Sequence, residues 1–186
     1  MLTNSPQWVA IYTRSRAEKR VADLLSQSGL EHYLPIVKRR HKWSDRYKLV
    51  EEPLLRSYVF VRIKNTDVDK VRKLQGVCSI ISFGGEVATI PEGQIDAVRR
   101  LVDADLQLTV QSSSALHKGA LVRIDDGPFA GLQGLLVSEC KDGNFAVRID
   151  AIGLSLVTTI DRLLLKPLIQ KKSGYQENRI SGNPNI

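Results

Sequence analysis

Six residues, Tyr58-Val59-Phe60-Val61-Arg62-Ile63, constrain this chain more than any others. All but Arg62 are aromatic or β-branched, and apolar side chains fall on both faces of the extended run. A strand apolar on both faces belongs inside a sheet, with cover above and below. Pro53, shortly before it, is tolerated where a strand starts but not in its middle. A helical pattern opens at Thr66. The stretch therefore predicts the middle strand of an α/β domain packed from Trp8 to Ala104, whether or not it has a further role.

The flanking segments fit that domain. Trp8–Thr13 reads as a first strand. Ser15 and Glu18 have the spacing of a capping box. Ala17, Val21, Leu24 and Leu25 form one helical stripe, and Gly29 is a natural stop. Glu31–Val37 reads as a strand running into a charged hairpin tip, which returns toward Glu51-Glu52. Thr66 and Asp69 begin a second helix with Val68, Val71 and Leu74 inward and Gly76 at its end. Val77–Phe83 and Val87–Ile90 pair across Gly84-Gly85. Pro91 and Glu92 open a third helix with Ile95, Val98, Leu101 and Val102 buried. The order β-α-β-β-β-α-β-β-α over residues 7–104 predicts an α+β sandwich, an antiparallel sheet with helices.

Residues 105–116 turn small and polar through Gln111-Ser112-Ser113-Ser114 and read as a linker. Residues 117–168 have an all-β texture. Ala120–Ile124, Leu135–Glu139, Phe145–Ile149, Leu154–Ile160 and Leu163–Leu165 are short strands separated by turns. Five short strands with tight turns predict a small closed barrel. Residues 169–186 are polar and Asn-rich, and are expected to be disordered.

Charge separates the two parts. Residues 1–100 hold 18 Lys/Arg against 11 Asp/Glu, whereas residues 101–170 hold 6 against 8. A localised basic excess is the footprint of a polyanion partner, although a solvated basic surface gives the same count. Arg14, Arg16, Lys19 and Arg20 gather at the start of the first helix, where cations oppose the helix dipole. Helix stability does not explain them; a solvated face or an anionic partner does. Lys38, Arg39, Arg40 and Lys42 are interleaved with Trp43 and Tyr47. That pattern suits a nucleic-acid backbone with a base to stack on, or a charged hairpin whose aromatics pair across the strands.

A catalytic set is missing from the sequence. His32, His41 and His117 stand far apart, no metal-ligand spacing occurs, and no glycine-rich phosphate loop or nucleophile elbow is found. Asp125-Asp126 reads as a turn start rather than a cation site. The expectation is a non-enzymatic protein with no cofactor and no metal. Cys78 and Cys140 are single and far apart, as in a reduced protein. No apolar run approaches the ~20 residues needed to cross a bilayer. The polar N-terminus has no secretory core, so a cytoplasmic location without membrane contact is expected.

Trp8 opening the first strand, Pro53-Leu54-Leu55-Arg56-Ser57-Tyr58-Val59-Phe60-Val61, Phe83-Gly84-Gly85 and Asp125-Asp126-Gly127-Pro128-Phe129-Ala130-Gly131 together resemble the NusG family of transcription elongation factors. The resemblance spans about residues 8–168. Within the family it is similar to the operon-specialised paralogues of the RfaH and UpxY type, antiterminators of surface-polysaccharide operons. It implies a NusG-like N-terminal domain and a C-terminal KOW domain, a five-stranded SH3-like barrel. It also implies RNA polymerase as partner, gripped at the β′ clamp helices by an apolar pocket. By position that pocket takes in Trp8, Tyr12, Leu55, Tyr58 and Phe60. Arg14, Arg16, Lys19 and Arg20 would face the non-template DNA strand, and the KOW domain would reach a second partner such as the ribosome. The rival expectation is a KOW-type RNA- or ribosome-binding module without polymerase specificity.

The chain departs from the family pattern in three places. Phe-Pro-Gly-Tyr is here Leu55-Arg56-Ser57-Tyr58, so a different turn is expected before the strand. The His/Thr-rich segment of RfaH has no counterpart at Asp67-Val68-Asp69. The Ile-Phe-Gly-Arg loop that contacts Rho or a ribosomal protein is replaced by Ala151-Ile152-Gly153-Leu154, which favours antitermination over termination.

Overall fold

Two strands carry the first sheet. β1 (Gln7–Thr13) pairs antiparallel with Tyr58–Ile63 along its length, from Gln7 opposite Ile63 to Tyr12 opposite Tyr58. A computed structural model describes residues 4–43, 45–104, 106–115, 119–137 and 143–168. In chain order, β1 is followed by α1 (Glu18–Gln27), β2 (His32–Tyr33), β3 (Ile36–Lys42), β4 (Tyr47–Pro53), β5 (Tyr58–Ile63), α2 (Val68–Arg72), β6 (Val77–Ile80), β7 (Ser82–Phe83), β8 (Glu86–Val87), β9 (Thr89–Ile90) and α3 (Glu92–Asp103). The first sheet runs β2-β5-β1-β6, with β9 also on β1. β5 is thus an inner strand as its composition requires, but it shares the centre with β1.

The alternation of β1 and β5 sorts side chains onto two faces. Val9, Ile11, Val59, Val61 and Ile63 point one way and pack with Val21 and Leu25 of α1 and Val68 and Val71 of α2. Trp8, Ala10 and Phe60 point the other way and join Ile95, Val98 and Leu101 of α3. Burying Phe60 fully stabilises by roughly 2–3 kcal/mol relative to leaving it exposed.

The second half is antiparallel too. β10 (Thr109–Ser112), β11 (Ala120–Ile124), β12 (Gln133–Leu136), β13 (Gly143–Ile149), β14 (Leu154–Ile160) and β15 (Leu165–Pro167) form one path, β10-β14-β13-β12-β11-β15. Two expectations change here. The stretch expected to be a linker supplies a strand, because β10 pairs with β14 from Thr109 opposite Val157 to Ser112 opposite Leu154. The sheet therefore has six strands rather than five, and its end strands β10 and β15 do not pair with each other among the described residues, so no closed barrel is seen. The expected disorder of residues 169–186 and the domain start at His117 lie outside the described residues. No helix among those described is long and apolar enough to cross a membrane.

The halves share one core. Val122, Ile124, Phe129, Leu132, Phe145 and Leu156 of the second half belong to the same cluster as Trp8, Phe60 and α3. Arg100 of α3 donates to the carbonyls of Pro128 at 2.7 Å and Ala130 at 3.1 Å, capping the Gly127–Gly131 loop.

Local chemistry differs from expectation at the start of α1. Helix α1 begins at Glu18 with Ala17 as its N-cap and no side-chain cap. Glu18, buried, instead accepts a hydrogen bond from the backbone N–H of Ser57 at 2.7 Å, 39 residues away. Ser57 has φ +64°, the left-handed conformation, so the turn keeps a geometry suited to the family's glycine despite the changed sequence. A non-glycine residue is strained there by about 1 kcal/mol. The Glu18 bond, together with Thr13 N–H donating to the Ser57 carbonyl at 2.9 Å, holds it. Expected outcomes follow for chemical denaturation at constant m-value. Ser57→Gly raises stability by about 0.5–1 kcal/mol by relieving the strain, whereas Glu18→Ala lowers it by about 2 kcal/mol by orphaning the amide.

Candidate functional site

The aromatic surface expected around the first sheet divides into a sealed part and an open part. Trp8 is 2% exposed, Leu55 1% and Phe60 0%. These three do not come together in one open pocket: Leu55 touches a depression beside Arg39 and Leu108, and Trp8 a separate one beside Pro6 and Pro91. The reason is topological: their face of the sheet is the one covered by α3 and the second half. Tyr12 and Tyr58 sit farther along the same face. They lie directly opposite each other across β1 and β5, with ring centroids 5.4 Å apart at 63° in edge-to-face contact. Tyr12 is 42% exposed. A register shift between Tyr12 and Thr13 in the β1–β6 pairing bends the strand at this point. Burial and the neighbouring Tyr12 push the Tyr58 phenol above its ordinary pKa.

Beside Tyr58 a depression of about 460 Å³ is walled by Ser79–Phe83 on one side and Asp150–Gly153 on the other. Ala151 is buried and Ile152 packs on the shared core. The loop at Ala151-Ile152-Gly153-Leu154 is therefore engaged with the first half.

The other end of the same face is tied by charge. Arg99 lies over both the Trp8 and Tyr33 rings, its guanidinium 5.1 Å from each centroid. Arg62 pairs with Glu31 at 3.3 Å and Glu92 at 3.2 Å, and Arg99 reaches Glu31 at 3.9 Å. The Trp8 indole N–H donates to Glu92 at 3.5 Å. This network holds α3 against the sheet edge. Sequence reasoning missed it because each bonded pair lies 30 or more residues apart; Arg62, the one charge in an apolar strand, was the signal that a charged partner was needed. Burial, and then Asp103, push the Tyr33 phenol well above the usual range against the opposing pull of Arg99.

The cationic residues form a strip. Arg14, Arg16, Lys19 and Arg20 are exposed at the head of α1. Arg20 donates to Gln75 at 2.7 Å, and Lys19 donates to the Glu51 carbonyl at 3.1 Å, which brings the helix start against the root of the β3–β4 hairpin. In the hairpin, Lys38 pairs with Glu51 at 4.0 Å and Arg39 with Glu52 at 3.2 Å. Trp43 and Tyr47 do not pair with each other. Arg40 stands 5.1 Å over Tyr47, and Lys48 5.8 Å over Trp43. Lys42 makes no ion pair among the described residues. Lys48, not singled out from sequence, belongs to the strip by its position opposite His41.

Among the described residues no group of His, Cys, Asp and Glu side chains could hold a metal ion. Two tyrosines in edge-to-face contact stand on the central strands, and a cationic strip runs from the head of α1 to the root of the β3–β4 hairpin.

Comparison with known proteins agrees with a class that acts on transcription. The family model described as transcription termination factor nusG matches residues 6–99. The chain belongs to the NusG family. It is 22% identical to the transcription termination/antitermination protein NusG of Rickettsia conorii over 142 residues, covering 70% of this chain and 73% of that protein. It is likewise 22% identical to the Rickettsia typhi protein of that name over 152 residues, covering 76% and 79%. A solved structure described as domain interaction in Thermotoga maritima NusG aligns with a TM-score of 0.48 and 19% identity, covering 88% of this chain and 98% of that one.

Alkaline titration followed by tyrosinate absorbance checks the aromatic site. Tyr58→Phe is expected to remove a phenol that ionises above pH 10. Because desolvation raises the folded-state value, the stability that Tyr58 contributes is complete below pH 10 and is lost as pH climbs through the raised value.

Proposed function

We propose that this transcription termination/antitermination factor works as an antiterminator, binding RNA polymerase at the β′ clamp helices and sustaining elongation on particular operons, in the manner of RfaH- and UpxY-type paralogues. The observation that carries this reading is the Tyr12–Tyr58 pair, an edge-to-face aromatic contact left at the surface of the two central strands. Exposed aromatics on a rigid sheet are anchors for a protein partner. Surface-polysaccharide operons are the targets that the resemblance favours.

On this reading the full apolar pocket, Trp8, Leu55 and Phe60 included, is reached only after the second half moves off. Polymerase and the second half then compete for one face. The engaged loop at Ala151–Leu154 supports the same view, because a KOW-type module acting alone on RNA or a ribosome would need that loop free. Arg14, Arg16, Lys19 and Arg20 touch the non-template DNA strand while the aromatic face holds the enzyme, and Lys38, Arg39, Arg40 and Lys42 extend that nucleic-acid contact.

Pull-down of RNA polymerase by the full chain tests the docking. Tyr58→Ala is expected to weaken capture at least tenfold, and undiminished capture would sink the docking site. Arg100→Ala, which removes the bonds to Pro128 and Ala130, is expected to strengthen capture severalfold by loosening the second half. Weaker capture by that variant would refute the competition.

A further inference from the structure

The β3–β4 hairpin has a charge arrangement that a flat contact does not explain. From Lys38 to Lys42 and from Tyr47 to Leu49 every residue is exposed, so the outer part of the hairpin stands clear of the rest of the described chain. Among the described residues its sheet has two strands. Paired residues on antiparallel strands share a face. The register puts Lys38, Arg40 and Lys42 with Tyr47, Leu49 and Glu51 on one face, and Arg39 and His41 with Lys48, Val50 and Glu52 on the other.

Both faces are therefore cationic. Over residues 38–48 the sequence has six Lys/Arg and one acid, Asp45. The acids Glu51 and Glu52 at the root engage Lys38, Arg39, His41 and Arg56. Nearer the tip, Arg40, Lys42, Arg46 and Lys48 make no ion pair with a carboxylate among the described residues. Each face also carries one exposed ring near the tip, Tyr47 at 62% under Arg40 and Trp43 at 57% under Lys48.

A ribbon lying on a flat anionic surface can use the cations of one face only. Cations on both faces suit a partner with negative charge on two opposing walls. A two-stranded β-ribbon is about 5 Å across between strand axes, and the B-form major groove, about 12 Å wide and walled by phosphates, admits such a ribbon. The A-form major groove of an RNA duplex is too narrow and deep for it. We propose that the β3–β4 hairpin inserts into the major groove of B-form duplex DNA, its two cationic faces each meeting one phosphate wall.

The roles follow from position. Lys42 and Lys48 lie on opposite faces near the tip and neutralise opposite strands. Arg39 and Arg40 are also on opposite faces, and a guanidinium fork can reach guanine edges from the groove floor. The exposed rings of Trp43 and Tyr47 offer apolar contact to thymine methyls. Lys19, bonded to the Glu51 carbonyl, joins the ribbon root to the cations of α1.

This proposal rests on the nucleic-acid reading of the hairpin above, and the test separates the two. Fluorescence anisotropy of the full chain is measured with a labelled 20-base-pair DNA duplex, the corresponding DNA single strand and the RNA duplex, across a salt series. The variants are Arg40→Gln/Lys42→Gln on one face and Arg39→Gln/Lys48→Gln on the other. The expected order is DNA duplex tightest. Each variant is expected to weaken duplex binding about tenfold and, through the one phosphate-contacting lysine it removes, to make the log–log salt slope shallower by about 1. If only one face matters, the ribbon lies flat and groove insertion is overturned. If the single strand or the RNA duplex binds more tightly and in a hairpin-dependent way, the nucleic-acid reading survives and groove insertion fails. If neither variant affects any ligand, both fail. Circular dichroism of each variant, unchanged from the parent chain, excludes misfolding as the cause of a loss.

Discussion

Everything in this molecule answers to one demand: a sheet that is apolar on both faces must be covered twice. β1 and β5 place Val9, Ile11, Val59 and Val61 on one side and Trp8, Ala10 and Phe60 on the other. Helices α1 and α2 satisfy the first side. Helix α3 is too narrow to cover the second side alone, and the second half of the chain supplies the remainder. The two halves are thus linked by the ordinary hydrophobic effect, and the second sheet lies over the aromatic face of the first.

Hydrogen bonds and charges then set the details. Arg62 and Arg99 convert the ends of β5 and α3 into a clamp through Glu31 and Glu92. Glu18 stabilises the strained Ser57 turn that launches β5. Arg100 ties α3 to the Pro128–Ala130 loop. Each bond spans a long stretch of sequence and joins elements already brought close by apolar packing. Such bonds fix orientation more than they add stability, since each nets about 1 kcal/mol.

Much of this was legible in the chain. The two-faced pattern of Tyr58–Ile63 places β5 inside a sheet, and the stripe of Ile95, Val98 and Leu101 gives the buried side of α3. Other features were not. Ser15 and Glu18 have capping-box spacing, yet a tertiary partner, the Ser57 amide, takes the carboxylate. The small, polar 109–112 segment reads as a linker, yet it pairs with β14 because an exposed strand edge accepts any extended backbone. The pocket residues were identified by likeness along the chain, and likeness says nothing of what lies on top of Trp8, Leu55 and Phe60. The hairpin cations were visible; that they occupy two faces depends on register, which only the pairing of β3 with β4 reveals.

The isolation of that hairpin has one more consequence. Among the described residues each of its strands leaves an outer row of amide and carbonyl groups without a neighbouring strand, the template on which two molecules could zip edge to edge. Repulsion between the like-charged ribbons of two copies opposes such zipping. The positive charge on which the proposed anionic partner would act therefore also guards the arm against self-association, and neutralising the arm would remove that guard.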